Sequence, residues 1–484
     1  MTFALFAGSA VVFAAALAVG LRSWRLALIG LLIYIPVSGI AIDAAYGHRA
    51  ERAVAVLAKD FLFVVPAYAG FLVWAGRRRV RITFPAAPLT LMLALAAIVV
   101  AQAFNPDLPK PLIALIGIKV WLFYVPLLFL GYHLVRTRDE LFRLLGLMTL
   151  LALVPAVIGL VEAALIYGGH ANAVYRVYGG AAGAVTQEYV GFALPGGGQL
   201  RRIPSTFSSF YQHYLFLAVM LAVAYAWWRG RRLAPLQGAV TAAIWLVLLA
   251  ASFLTGVRAA FLMTPILLVL VVALAGRSAV RFAVRRLLPA GVVVAAAVTL
   301  VPGSHMLAVW SDLADVGRQE FWDVIVASSR EAVHLTTFGL GTGVDSIAAR
   351  YAYSNDSAWQ EMIYPLLGRW HESWYVRTWI ELGVVGLAVV LALFATIVVR
   401  GVRAHLRLRD PSLRVASAAL LAVVIWSIVY AVKSQYLDLD PLNVYFWLFA
   451  GLMFKVPVLA EREAAEEEEP PAPPARPLEA VVRR

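Results

Sequence analysis

The sequence predicts an all-α polytopic membrane protein with about 12–13 transmembrane helices and one large, partly helical loop on the outer face. Three observations predict it. First, 62% of the 484 residues are hydrophobic, only 14% are charged, and the mean hydropathy is +0.81. A soluble chain of this length needs about a quarter of its residues charged to cover its surface. Soluble globular, disordered and fibrous classes are therefore excluded. Second, apolar stretches of roughly 20 residues, the length that spans a bilayer, recur along the chain. Third, the connections between them alternate between arginine-rich and arginine-poor.

The stretches fall at 3–21, 25–42, 53–75, 84–104, 111–131, 144–168, 206–228, 235–254, 259–276, 287–302, 376–399, 415–433 and 441–457. The first lacks a basic leader and a cleavage site and reads as a helix rather than a signal peptide. Between the stretches, one set of connections is short and basic: Arg22 to Arg25, Arg77 to Arg81, Arg136 to Arg143, Arg229 to Arg232, Arg277 to Arg286 and Arg400 to Arg414. The positive-inside rule makes these cytoplasmic. The other set holds Asp43 to Arg52, Asn105 to Lys110, Thr255 to Arg258 and Ser434 to Asp440. Thirteen spans put the N-terminus outside and the C-terminus inside; twelve would move the N-terminus inside. The formal net charge of +13 is thereby assigned mainly to topology, and nucleic acid is not needed to explain it.

Five segments follow from this reading: N-terminal transmembrane helices over 1–168, central helices over 169–302, a large outer loop over 303–374, C-terminal transmembrane helices over 375–457, and a tail over 458–484. The tail is acidic and proline-rich, and is expected to be disordered. In the outer loop, the amphipathic stretch from Leu313 to Ala327 is expected to be helical. The chain has no cysteine, which excludes disulfides, thiolate nucleophiles and thiolate metal sites. It has no nucleotide-binding motif, so nucleotide sugars and ATP are not expected as direct substrates, and no cofactor is expected. Asp312, Asp315 and Asp323 in the large loop leave a metal site open as an alternative, but no metal is expected.

Ionisable residues inside predicted spans are expensive and are candidates for function. They are Lys59, Asp60, Lys119, Glu162 and His213. Lys59 and Asp60 are adjacent, point about 100° apart on a helix, and are not expected simply to pair with each other. Lys119 is placed to hold a phosphate as a point charge, or else to form an internal salt bridge. A lone histidine such as His213 reads first as a packing or hydrogen-bonding residue.

Three outer-face segments carry unusual polar residues. They are Arg201-Arg202-Ile203-Pro204-Ser205-Thr206-Phe207, Thr255-Gly256-Val257-Arg258, and the pair His371-Glu372-Ser373-Trp374-Tyr375 with Glu381-Leu382-Gly383-Val384-Val385-Gly386. A Gly-rich segment, Phe338 to Gly343, lies before the last pair. Arg202 and Arg258 lie where short loops avoid arginine, so topology does not explain them. Arginine suits phosphate because its planar fork donates two parallel hydrogen bonds and stays charged.

In these segments the chain resembles the O-antigen ligase and O-antigen polymerase family of bacterial envelope glycosyltransferases. The resemblance covers roughly Arg201 to Leu387. Ser205 stands where the family often has glycine, Val257 where it has serine, and Glu372 where it has asparagine. The resemblance implies an inverting, metal-independent glycosyltransferase of the inner membrane, with its active site on the periplasmic side. It implies an undecaprenyl-diphosphate-linked glycan as donor and a glycan or lipid-linked acceptor. A flippase and a chain-length regulator would be its partners in the bilayer. By the same resemblance, Arg202 and Arg258 hold the diphosphate and His371 serves the acceptor hydroxyl. Arg201 is the fallback for Arg202, Arg369 and Arg377 support His371, and Glu372 holds the histidine or a sugar hydroxyl; Lys119, outside the stretch of resemblance, is a further candidate substrate contact. Trp370, Trp374 and Tyr375 are placed to stack on sugars, or else form an interfacial belt. Polymerisation of O-antigen or exopolysaccharide repeat units is preferred over ligation of a finished chain to lipid A core or protein. A secondary transporter or flippase is the alternative from another class, supported by the intramembrane charges.

Overall fold

A computed structural model describes residues 2–79, 86–182, 201–231, 233–301, 318, 321–353, 367 and 371–468. Among the described residues there is no strand, and the architecture is all-α and multi-pass. Among the described residues, ten helices are long and apolar enough to cross a membrane, and three shorter apolar helices accompany them. Together they match the thirteen apolar stretches of the sequence.

The apolar helices before the first loop are α1 (Thr2–Arg22), α2 (Trp24–Ala44), α3 (Ala50–Arg78), α4 (Ala86–Gln102), α5 (Pro111–Leu134) and α6 (Arg138–Tyr167). A short α7 (Ala171–Tyr178) follows. Then come α8 (Phe210–Gly230), α9 (Pro235–Leu254), α10 (Ala260–Ala275) and α11 (Arg277–Thr299). The large loop carries α12 (Ser328–Leu335) and α13 (Ile347–Tyr353). The chain closes with α14 (Trp374–Leu406), α15 (Pro411–Tyr430) and α16 (Leu442–Glu468).

Several starts are set by side chains that accept the orphan N–H groups of a first turn. Thr137 accepts from Glu140 N–H while the Glu140 carboxylate accepts from Arg136 N–H, a reciprocal cap for α6. Asp410 accepts from Leu413 N–H at 2.7 Å, with Pro411 at the first position of α15.

The bundle is built around α8 and α16. In each, 83% of the apolar window is buried, against 6% for α11 at the periphery. α8 packs on α6, α9 and α15, and α16 packs on α15 and the second half of α5.

Three boundaries differ from the sequence reading. The basic segment Arg277 to Arg286 is helical and continuous with α11, and α14 continues to Leu406. Likewise α16 continues to Glu468, so the tail expected to be disordered from 458 begins as helix. The cause is the same each time. Arginine, glutamate and alanine are good helix formers, and a helix end entering water needs no apolar residues. Residues 469–484, Asp312, Asp315 and, within the stretch from Leu313 to Ala327, residues 313–317 and 319–320 lie outside the described residues; Phe321–Ala327 is π-helical.

Candidate functional site

The polar segments singled out in the sequence meet. The Arg201–Arg202 segment lies on the turn after α9, where Ile203 N–H donates to the Thr255 carbonyl at 3.1 Å. Gly256 makes this approach possible. It has φ +77°, and a Cβ there would overlap the Arg201 carbonyl oxygen.

Ser205 has φ +56°, a left-handed conformation that favours glycine. Three contacts hold it. Its N–H donates to Glu162 Oε2 at 3.0 Å, its hydroxyl donates to the Pro155 carbonyl at 2.7 Å, and its carbonyl lies 2.7 Å from the Tyr178 hydroxyl. The Tyr178 hydroxyl is also 2.6 Å from Glu162 Oε1. Glu162 is thus a clamp for the arginine segment. His213 supports the same segment, with Nδ1 2.9 Å from the Ile203 carbonyl and its ring stacked on Phe207. That is the hydrogen-bonding role its sequence position suggests.

Arg202 is half-buried, with its guanidinium 4.3 Å from the Phe210 ring centroid and 5.9 Å from that of Tyr211. Burial pulls its pKa below the ordinary value, and the like charge of Arg258 pulls the same way against the raising effect of Tyr211. The two guanidinium groups are close enough for their like charges to be felt. Tyr211 senses Arg202, Arg258 and Glu372 together, and its ring packs 5.3 Å from that of Tyr436. Glu372 is exposed, and His371 beside it is fully buried.

His371 has two acidic neighbours. Nδ1 lies 3.2 Å from Asp345 Oδ2, and Nε2 lies 3.8 Å from Glu331 Oε2 on α12. Burial pushes the Asp345 carboxyl up to about 6, against the lowering pull of His371. The backbone that carries Asp345 is fixed by Glu381. This carboxylate accepts from Gly343 N–H (2.9 Å), Asp345 N–H (3.2 Å) and the Trp121 indole (2.7 Å), and from Arg377 at 2.9 and 3.1 Å. The break in α14 at Gly383, φ +71°, lets the Thr337–Gly341 strip run alongside. Leu340 and Gly341 donate to the carbonyls of Ile380 and Glu381, and Val384 donates to that of Thr337.

The short connection from Ser434 to Asp440 is the hub. Gln435 Nε2 donates to the carbonyls of His371 (2.8 Å) and Asp345 (2.9 Å). Asp438 receives Arg377 and the Trp374 indole. Asp440 receives Lys59 at 2.7 Å. Sequence reasoning missed Asp345, Gln435 and Asp438. The only signal was proximity: Asp345 follows the Gly-rich segment by two residues, and the other two sit in a connection noted for having no arginine.

Several expected contacts are not where the sequence reading put them. Arg377 is fully buried and committed to Glu381 and Asp438, so it braces the site from inside. Trp374 is buried between Trp121 and Phe394, which assigns its ring to packing. Tyr375 donates its hydroxyl to the Ile428 carbonyl. Lys119 forms the internal salt bridge, 2.7 Å from Asp60 Oδ2. Lys59 and Asp60 do approach each other, at 3.5 Å, although each has a closer partner. Arg201 is half-buried beside Arg202, and its carbonyl lies 3.5 Å from the Tyr167 hydroxyl. Arg369 and Trp370 lie outside the described residues.

The chain matches no protein-family model and no curated protein.

Proposed function

We propose that the protein is a membrane glycosyltransferase that moves a glycan from undecaprenyl diphosphate to an acceptor sugar hydroxyl at the periplasmic face of the bacterial inner membrane. The observation that carries this reading is the grouping of Arg202, Arg258, Tyr211 and Glu372 next to the His371–Asp345 pair, all at one end of the helices. Polymerisation of repeat units is the preferred form, and ligation of a finished chain to lipid A core or protein is the alternative.

In this reading the two arginines hold the lipid diphosphate. The acceptor oxygen attacks C1 of the donor's reducing-end sugar from the face opposite the leaving group. The C1–O bond to acceptor forms, the C1–O bond to phosphate breaks, and the diphosphate leaves with the electron pair. The anomeric configuration inverts. Negative charge grows on the departing oxygen, where pre-placed guanidinium groups stabilise it. His371 takes the acceptor's proton on Nε2. Since His371 has no exposed surface, the acceptor reaches Nε2 by displacing the Glu331 side of the loop. The intramembrane charges weigh against a transporter, because Lys59, Asp60, Lys119 and Asp440 already pair with one another.

The test is direct. Purified protein is incubated with lipid-diphosphate-linked repeat units, without nucleotide or added metal, and product length is measured. Wild type extends or transfers the glycan, and Arg258→Ala and His371→Ala do not. Full activity in both variants would overturn the site, and substrate movement across the bilayer without a glycan product would favour a transporter.

A further inference from the structure

The reading of His371 as a base leaves open what fixes its proton. We propose that Asp345 is a positioning residue that holds the His371 imidazole with its proton on Nδ1, so that the Nε2 lone pair is the one offered to the acceptor hydroxyl. The inference rests on the glycosyl-transfer reading for its consequence, but its geometry stands by itself.

Both side chains are fully buried, 3.2 Å apart between Nδ1 and Oδ2. Neither ring nitrogen and neither carboxyl oxygen has a hydrogen-bond partner among the described residues. The two groups lie within ion-pair distance and face each other. A buried N–H and a buried carboxylate each cost free energy when unpaired, so each is the other's natural partner.

The backbone around the pair is fixed. Asp345 N–H donates to Glu381, and the carbonyls of Asp345 and His371 accept from the same Gln435 amide. The Gln435 oxygen accepts from Ile347 N–H at 3.2 Å, so the amide has one orientation that satisfies all three bonds. Two segments 26 positions apart are thereby held in one register.

The charged groups facing the pair are Glu331 from α12 at Nε2, and Arg377 and Glu381 from α14 at Asp345. The Nε2 side is the approachable one, because the Glu331 side chain is about one-third exposed. When the hydroxyl proton moves to Nε2, the imidazolium carries both protons, and the Asp345 carboxylate balances its charge until the proton leaves for solvent. The Asp345 carboxyl, raised to about 6 by burial, is relieved by a donor at Nδ1.

The experiment uses full-length protein in bilayers with ¹⁵N-labelled histidine. Solid-state NMR reports which ring nitrogen carries the proton, and His371→Gln identifies the signal. Wild type should show Nδ1 protonated and Nε2 bare. Asp345→Asn offers an amide N–H to Nδ1 and should move the proton to Nε2. In the transfer assay this variant should lose about 100-fold or more in kcat with KM little changed. A wild-type proton on Nε2, or a tautomer unchanged by Asp345→Asn, overturns the proposal. Should Asp345→Asn not fold, the wild-type tautomer alone decides. A tautomer that responds as expected in protein that transfers no glycan supports the positioning role and overturns only the glycosyl-transfer reading.

Discussion

Glu162 holds Ser205 in a left-handed backbone conformation by accepting its N–H at 3.0 Å across the boundary between α6 and the arginine segment. Removing the acceptor leaves a buried N–H without a partner, which costs about 1–3 kcal/mol. Glu162→Ala should therefore lower thermal stability and weaken donor binding through Arg202. Ser205→Gly should be close to neutral, since relief of a left-handed serine, about 1–2 kcal/mol, offsets the lost hydroxyl bond to Pro155. Thermal unfolding and the donor KM of both variants check this. A Ser205→Gly variant as damaged as Glu162→Ala would contradict it.

Gly256 carries the second requirement. Gly256→Ala adds a Cβ against the Arg201 carbonyl at a residue with φ +77°. The expected loss is at least about 2 kcal/mol from conformation and overlap together. Transfer should fall with it, because the turn that carries Arg258 must move. Wild-type stability and activity in Gly256→Ala would show that the two segments do not meet in this way.

Arg377 lies between two buried carboxylates. Arg377→Met leaves Glu381 and Asp438 without their cation, a change that costs about 3–5 kcal/mol. Adding Glu381→Gln should recover part of the loss. A double-mutant cycle on unfolding free energy reads the coupling, and additive losses would exclude it.

Asp345 makes stability depend on pH. Its native pKa of about 6 lies above the ordinary value of 3.8. Between those values the native state binds more protons than the unfolded state, so stability falls as pH rises from about 4 to about 6. A shift of about two units corresponds to roughly 2–3 kcal/mol. His371, Glu331, Glu381 and Arg377 surround the same carboxyl, so the contribution is isolated by comparing wild type with Asp345→Asn across that range. The variant should lack this decline. Parallel curves for the two proteins would refute the assignment.

The transmembrane organisation is legible in the sequence because bilayer thickness fixes the length of an apolar run. Arg202 and Arg258 are legible because they put arginine on the side where the short loops otherwise carry little of it. Asp345 and Gln435 are not. In sequence each is an ordinary polar loop residue, and its meaning comes from contacts 26 and 64 positions away. Trp374 and Arg377 mislead for the opposite reason: chemistry suited to sugars and phosphates is spent on packing and on a buried ion network. Ser205 is the instructive case. The serine is visible in the sequence, but the φ angle that favours glycine there, and the clamp that makes serine tolerable, are visible only in the fold.

The bond between Lys59 and Asp440 has a consequence for biogenesis. Membrane helices enter the bilayer in the order of their synthesis, and α3 is made when almost all of the chain is still to come. Lys59 therefore meets lipid long before the aspartate that finally neutralises it exists. During that interval Asp60, 3.5 Å away in the finished fold, is the nearest counter-charge in sequence, and Lys119 arrives two helices later. Arrival of α16 lets Lys59 take Asp440 while Asp60 keeps Lys119. The finished network thus implies an exchange of partners during insertion, and nascent chains cut before Asp440 should hold α3 more loosely than the complete protein does.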